Sequence, residues 1–267
     1  MNRLWIYSVC VCVFGVLDGE VFARSPSVYF SLDESEPAQW ANQGVLATGE
    51  QPFRIGEVDG PTATSADGVS GRAFDGRALI SMQPANVPVW GSDLPGLPKT
   101  EIEGLFEGAR SFTVTAWIKT ASMQPQGRLI KTPAFQINYR GDRLETGFAR
   151  PQRWYGSEAS VDRFGSVGEW RFVAVTWQGG EAGGEVRYYT GTKTSEVEPA
   201  GGAMTDWTLL RGDETGCWLT VGNSESDGNR PFVGLIDEVR IWAATDPSAV
   251  LQRDELERIR RADLESE

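Results

Sequence analysis

The stretch Phe232-Val-Gly-Leu-Ile-Asp-Glu-Val-Arg-Ile-Trp242 alternates between two sets of residues, as a long β-strand does. One set comprises Val233, Leu235, Asp237, Val239 and Ile241. The other set carries Glu238 and Arg240, whose charges we expect to face water. Asp237 is therefore predicted to point inward with its apolar neighbours. An inward carboxylate needs hydrogen bonds, a cationic partner or a metal ion, so Asp237 is the first candidate for chemistry in this chain.

Four segments of the chain, in this order, resemble one known family. They are Gly71-Arg-Ala-Phe-Asp-Gly76, Ser111-Phe-Thr-Val-Thr-Ala-Trp-Ile118, Gly168-Glu-Trp-Arg-Phe-Val-Ala-Val-Thr-Trp177 and the closing stretch quoted above. Together they are similar to laminin G-like jelly-roll domains of the concanavalin A-like lectin/glucanase superfamily, from about Val28 to Trp242. The resemblance implies an all-β fold, a two-sheet antiparallel jelly-roll sandwich. It does not specify a ligand, because such folds support many functions.

Composition excludes several classes of function. The chain has 267 residues, 31 of them glycine, and many short apolar runs between glycine-rich turns, which is typical of a β-sandwich. A formal net charge of -12 argues against charge-driven binding to nucleic acid or to an anionic membrane. Histidine is absent from the sequence, which excludes serine–histidine and cysteine–histidine nucleophiles and most zinc sites.

Residues 1–23 have the pattern of a signal peptide. Arg3 precedes an apolar run from Leu4 to Leu17, and Val21-Phe-Ala23 offers small residues for cleavage. The alternative, an uncleaved anchor, requires a longer apolar run. Cleavage would leave Cys217 as the one cysteine, so the mature chain is predicted to have no internal disulfide. These features indicate a secreted or cell-envelope protein, and a bacterial origin fits them better than an animal one.

The remaining chain divides into two parts. Residues 24–245 are predicted to form the jelly-roll domain, with a proline-rich insertion at 83–108. Residues 246–267 are predicted to form a short C-terminal α-helix, because Asp246 can cap it and Pro247 suits its first position. Its apolar stripe is thin, so we expect the helix to pack loosely and to fray into a polar tail.

The family resemblance also implies a structural calcium ion. In relatives, the matching aspartate of the closing strand binds calcium together with oxygens from the first strand and from the glycine after Phe-Asp. The resemblance thus implies a site formed by Asp237, Gly76 and Asp33, and these oxygen donors suit calcium. The alternative is that Asp237 only accepts backbone N–H bonds or pairs with an arginine.

Exposed aromatic residues form the candidate ligand site. Trp154 and Tyr155 follow Arg153 in Arg150-Pro-Gln-Arg-Trp-Tyr-Gly156, which is interpreted as a polar loop, and Trp90 lies in the proline-rich insertion. Aromatic faces stack on sugar rings, and flanking arginines add polar contacts. The alternative is that these side chains cover the rim of the core.

Catalysis is not expected from this sequence. Glycoside hydrolases of this fold place two carboxylates on one strand in a Glu-x-Asp-x-Glu pattern, which is absent here. The nearest pairs, Glu101-Ile-Glu103 and Glu196-Val-Glu198, are interpreted as solvated charge. The leading hypothesis is a secreted, non-catalytic module that binds carbohydrate or a glycoconjugate with structural calcium. A cell-envelope domain that binds protein and a divergent glycoside hydrolase or lyase are the alternatives.

Overall fold

A computed structural model describes thirteen segments of the chain. They are residues 25–31, 64–65, 67–69, 73–75, 80–82, 106–122, 126–132, 134–141, 143–148, 153–157, 167–210, 219–222 and 230–265. The predicted signal peptide, Asp33, Gly76, Trp90, Cys217 and most of the insertion at 83–108 lie outside the described residues.

The described strands form two antiparallel sheets, as the sequence predicted. The eight-stranded sheet has the order β12-β11-β10-β5-β14-β3-β2, with β1 also paired to β14. Its strands are β1 (Val28–Phe30), β2 (Thr64–Ser65), β3 (Ala73–Asp75), β5 (Ser111–Thr120), β10 (Trp170–Gly179), β11 (Gly184–Thr192), β12 (Glu198–Thr205) and β14 (Gly234–Ala244).

The six-stranded sheet has the order β4-β13-β6-β7-β8-β9. Its strands are β4 (Ile80–Met82), β6 (Gly127–Lys131), β7 (Phe135–Arg140), β8 (Arg143–Phe148), β9 (Arg153–Gly156) and β13 (Leu219–Val221). The expected turn at Arg140-Gly141 joins β7 to β8, and Gly141 has the positive φ of 62° that such a turn requires. The two sheets enclose the main core, whose aromatic centre includes Phe112 stacked on Phe135 with ring centroids 4.0 Å apart.

In the closing strand β14, the alternation of side chains between the two faces of the sheet is interrupted once. Asp237 pairs with Trp117 and Arg240 pairs with Thr115, so Glu238 and Val239 together lie opposite one residue of β5. This is a β-bulge, and Glu238 has a φ of 51°. Because the bulge inserts one residue, the face that points into the sandwich changes parity along the strand.

Because of the bulge, the charged residues of β14 are oriented differently from the prediction. Ile236 before it and Val239 after it both lie in the core between the sheets. Asp237 instead lies on the outer face of the eight-stranded sheet, opposite Trp117. The expectation that Glu238 and Arg240 face water is wrong, because their side chains are only 4% and 13% exposed.

A second apolar layer covers the outer face of the eight-stranded sheet. A 3₁₀ turn at Pro247–Ala249, capped by the Asp246 side chain, leads into helix α1 (Arg253–Glu265). Leu256 and Ile259 of α1 are buried in a cluster with residues of the sheet. The expectation of a loosely packed helix is therefore wrong. Within the described part of the chain, neither the length nor the apolar character of any helix suffices to cross a membrane.

Polar contacts attach α1 to the β11–β12 connection. Arg260 donates to the Thr192 carbonyl at 2.7 Å. Val197 is held twice, since its carbonyl accepts from Arg253 at 2.7 Å and its N–H donates to Glu257 at 2.9 Å. The hydrogen bond from Arg260 is the main cause that lowers the pKa of Glu257 to about 2. These contacts explain why a helix with few apolar residues still docks on the sheet.

Asp263 connects the helix to the closing strand. Its carboxylate lies 2.8 Å from Arg240 and accepts the Trp117 Nε1–H at 2.8 Å.

Loss of one partner from a buried ion pair costs about 3 kcal/mol. We expect Asp263→Ala to lower the free energy of unfolding by that order, measured by denaturant titration at pH 7.5. Arg258→Ala, on the exposed side of α1, is the control. Equal stability of the two variants would contradict this account of the helix.

Candidate functional site

Asp237 is fully buried, and backbone groups contact both of its carboxylate oxygens. Oδ2 accepts the Val69 N–H at 2.7 Å, and Oδ1 accepts the Glu238 N–H at 3.0 Å. The N–H donors stabilise the charged form inside the protein. Both bonds are of the kind that the hydrogen-bonded alternative requires, and calcium at this carboxylate stays a prediction. Its predicted calcium partners, Gly76 and Asp33, lie outside the described residues.

One arginine next to Asp237 pairs with two carboxylates. Arg240 lies 2.6 Å from Glu238 and 2.8 Å from Asp263, with its guanidinium 4.2 Å from the Tyr29 ring centroid. The Tyr29 hydroxyl donates to Glu238 at 2.8 Å. Burial raises the pKa of Asp263 to about 6, while Arg240 opposes that shift. Because these groups pair with each other under the helix, they form a structural cluster.

Trp154 lies on the opposite side of the molecule, in strand β9. This strand is the edge of the six-stranded sheet, which corrects the prediction of a polar loop at this position. Its neighbour Tyr155 faces the core, so Trp154 projects from the outer face of the sheet. The residue is 36% exposed. An exposed tryptophan on a strand offers a rigid aromatic surface to a ligand.

Gly147 of β8 supports the Trp154 ring. The two residues are directly paired across the sheet. A Cβ atom placed on Gly147 would lie 2.7–2.8 Å from three adjacent carbon atoms of the six-membered ring. The near equality of these distances indicates that the ring lies with its face against the Gly147 backbone. The absence of a side chain at Gly147 therefore lets the indole lie flat on the sheet.

Tyr155 and Arg153 do not share the surface of Trp154. The Tyr155 ring packs edge-on against Phe148 in the core, with centroids 5.8 Å apart, and its hydroxyl accepts the Asp206 N–H at 3.4 Å. Arg153 forms an ion pair with Asp206. Both residues thus connect the edges of the two sheets. Of the four predicted ligand residues, Trp154 alone is described on an outer sheet face, and Trp90 lies outside the described residues.

Polar residues of β6 and β7 lie on the same side of the sheet as Trp154, where Arg128 and Asn138 are buried and Gln136 is partly exposed, and the sequence analysis did not identify them. Gln136 pairs with Gly147, and Asn138 pairs with Glu145, so both amides share the outer face with Trp154. Arg128 donates to Asn138 Oδ1 at 3.4 Å. The sequence pattern that could have identified them is the polar residue at every second position of β7, namely Gln136, Asn138 and Arg140, which indicates that one face of this strand is polar.

Comparison with known families identifies the sandwich. Residues 99–247, more than half of the chain, match a laminin G family model described as the concanavalin A-like lectin/glucanases superfamily. The chain belongs to this superfamily. The match confirms the resemblance and the fold inferred from the sequence. A comparison with curated protein sequences gave no match.

Solved structures are similar to this concanavalin A-like domain at low sequence identity. Domain 4 of AbnA, an extracellular GH43 arabinanase from Geobacillus stearothermophilus in complex with arabinotriose, is 17% identical. It has a TM-score of 0.52, with 88% of this chain and 97% of that chain covered. The CBM40 of the Ruminococcus gnavus IT-sialidase, bound to α2,3 sialyllactose, is 15% identical, with a TM-score of 0.40 and coverage of 57% and 82%. The LG1-3 region of the laminin alpha2 chain is 12% identical, with a TM-score of 0.41 and coverage of 76% and 35%.

The candidate carboxylate pairs of this concanavalin A-like domain have different surroundings. Glu196 lies 3.1 Å from Arg261 and 3.7 Å from Arg253, so it pairs with the helix. Glu198 is exposed on the edge strand β12, and the pair at 101 and 103 lies outside the described residues. Among the described residues, no group of three or more acidic, cysteine or histidine side chains is arranged to hold a metal ion.

The contact between Gly147 and Trp154 can be tested directly. We expect Gly147→Ala to displace the indole, because the added methyl group would overlap the ring, at a stability cost of about 1 kcal/mol. The measurement is the ¹⁵N shift of the Trp154 indole, assigned by its loss in Trp154→Phe. Gly156→Ala is the matched control, since its nearest neighbours would lie 3.5 Å or farther from the new Cβ. An unchanged indole signal in Gly147→Ala would disprove the flat stacking.

Proposed function

We propose that this chain is a secreted, non-catalytic recognition domain that binds carbohydrate or glycoconjugates through the outer face of its six-stranded sheet. The observation that carries the proposal is Trp154, partly exposed and supported face-on by Gly147. A ring held flat against a sheet keeps its other face available for stacking on the apolar face of a sugar. The Trp154 ring on Gly147 thus forms an aromatic platform. Because strands hold both Trp154 and Gly147, this platform loses little conformational freedom when a ligand binds.

The choice of face follows from the position of the exposed tryptophan. Helix α1 and its apolar cluster pack on the outer face of the eight-stranded sheet. The outer face of the six-stranded sheet instead carries Trp154 and a series of polar side chains. The fold itself is compatible with sugar binding, since the AbnA domain of similar fold is described in complex with arabinotriose.

Secretion is part of the same proposal. The pattern of residues 1–23, with a basic start, an apolar run and small residues before the cleavage position, supports export. An extracellular or envelope location would bring the domain into contact with polysaccharides and glycoproteins. A protein partner is the alternative if the sheet face does not bind sugar.

The experiment is a glycan array followed by affinity measurement on the mature chain. We expect Trp154→Ala to weaken binding to the best array ligand by at least about tenfold, because stacking on an aromatic face contributes about 1–2 kcal/mol. Met204→Ala is the matched control, an exposed apolar side chain on the other sheet. A flat array, or equal affinities of the two variants, would reject carbohydrate binding at this face and favour a protein partner.

We also propose a structural calcium ion at Asp237. A carboxylate oxygen has two lone pairs, so each Asp237 oxygen can accept an N–H and still face a cation. Gly76 and Asp33 would supply the further oxygens that the family resemblance implies. A bound calcium ion would supply charge neutralisation and link the closing strand to segments distant in the chain.

Calcium binding predicts a stability difference. We expect 1 mM calcium to raise the melting temperature above its value in chelator, because an ion that binds the folded state stabilises it. Asp237→Asn should lose this response while retaining the fold. Identical melting curves of the unmodified chain in calcium and in chelator would contradict a calcium ion at Asp237.

A further inference from the structure

The sheet face next to Trp154 contains polar atoms without partners. Gln136 Oε1 and Asn138 Nδ2 are each inaccessible to solvent, and neither has a hydrogen-bond partner among the described residues. Leaving a buried polar atom unpaired costs about 1–3 kcal/mol, so such atoms are uncommon and need an explanation. Here two occur two residues apart on the same face of β7, beside the aromatic platform.

The strand pairing places Gln136 in line with the platform. Gln136 pairs with Gly147 of β8, and Gly147 pairs with Trp154 of β9. Neighbouring strands are about 4.8 Å apart, so the indole that extends over Gly147 fills much of the interval between Trp154 and Gln136. A ring stacked on Trp154 would therefore have its edge next to the Gln136 amide.

Gln136 can reach such a ligand without a change in the backbone. The residue is partly exposed, whereas Asn138 on the same face is fully buried and accepts a hydrogen bond from Arg128. The terminal torsion of glutamine has a broad energy profile, so the amide can turn toward the surface at little cost. Gln136 is thus the residue of this pair that can contact a ligand.

The unpaired atom specifies the chemistry of its partner. Oε1 is an acceptor and requires a donor, which a sugar hydroxyl provides and a carboxylate or sulfate group does not. The neighbouring charges already have contacts, since Glu145 lies 3.4 Å from Arg140, and Lys131, which pairs with Gln136 across the sheet, is not without a partner. We propose that Gln136 orients the sugar that stacks on Trp154, by accepting a hydrogen bond from one of its ring hydroxyls. This inference rests on the proposed carbohydrate function.

The test measures binding of neutral and acidic oligosaccharides to the mature chain by calorimetry. The neutral probes are arabinotriose, xylotriose, cellotriose and maltotriose, and the acidic probes are trigalacturonate and a sulfated heparin oligosaccharide. We expect at least one neutral probe to bind and Gln136→Leu to weaken it about tenfold, the effect of one lost hydrogen bond. Gln178→Leu, an exposed glutamine on β10 of the other sheet, should bind as the unmodified chain does.

The outcomes separate this inference from the proposed function. Loss of binding in Trp154→Ala with unchanged affinity in Gln136→Leu would overturn the role of Gln136 and leave the platform intact. Binding of the acidic probes alone, with the same affinity in Gln136→Leu as in the unmodified chain, would likewise overturn the contact between Gln136 and a sugar hydroxyl. No binding to any probe or array glycan would reject the proposed function itself. An unchanged or higher melting temperature of Gln136→Leu would show that its loss of affinity is not caused by misfolding.

Discussion

The bulge at Glu238 is the constraint on which the arrangement of this molecule depends. One residue with φ of 51° shifts the register of β14 against β5. For a residue other than glycine this conformation costs about 1–2 kcal/mol, so surrounding contacts must maintain it. The shift keeps Ile236 and Val239 in the core and moves Asp237 to the other face of the sheet. Without the shift, a carboxylate would lie between the two sheets, where burial of charge is most costly.

The same shift explains why the C-terminal helix is an integral part of the domain. Arg240 and Glu238 project from the outer face of the eight-stranded sheet, where Asp263 of α1 completes a buried charged cluster. The apolar side chains of α1 then exclude water from that cluster. Helix α1 thus covers part of the outer face of the eight-stranded sheet, and the exposed Trp154 marks the outer face of the six-stranded sheet as the candidate surface for a ligand.

That surface is assembled from three neighbouring strands. β9 supplies Trp154, β8 supplies the bare backbone of Gly147 that supports the ring, and β7 supplies the amide of Gln136. No two of these residues are adjacent in the sequence. Their proximity depends on the register of two hairpins, which also explains why Tyr155 and Arg153 turn toward the opposite sheet.

The sequence by itself determined the fold class, the order of the principal strands and the closing strand, because these depend on local alternation and on motifs that survive at low identity. Tertiary structure alone decided which face of β14 meets the core, since a single bulge reverses parity and alternation cannot reveal it. It also decided that the helix is buried, through Asp263 and Arg260, and that Trp154 lies flat on Gly147. Those contacts join residues far apart in the chain, and their geometry follows from strand register rather than from the identity of either residue.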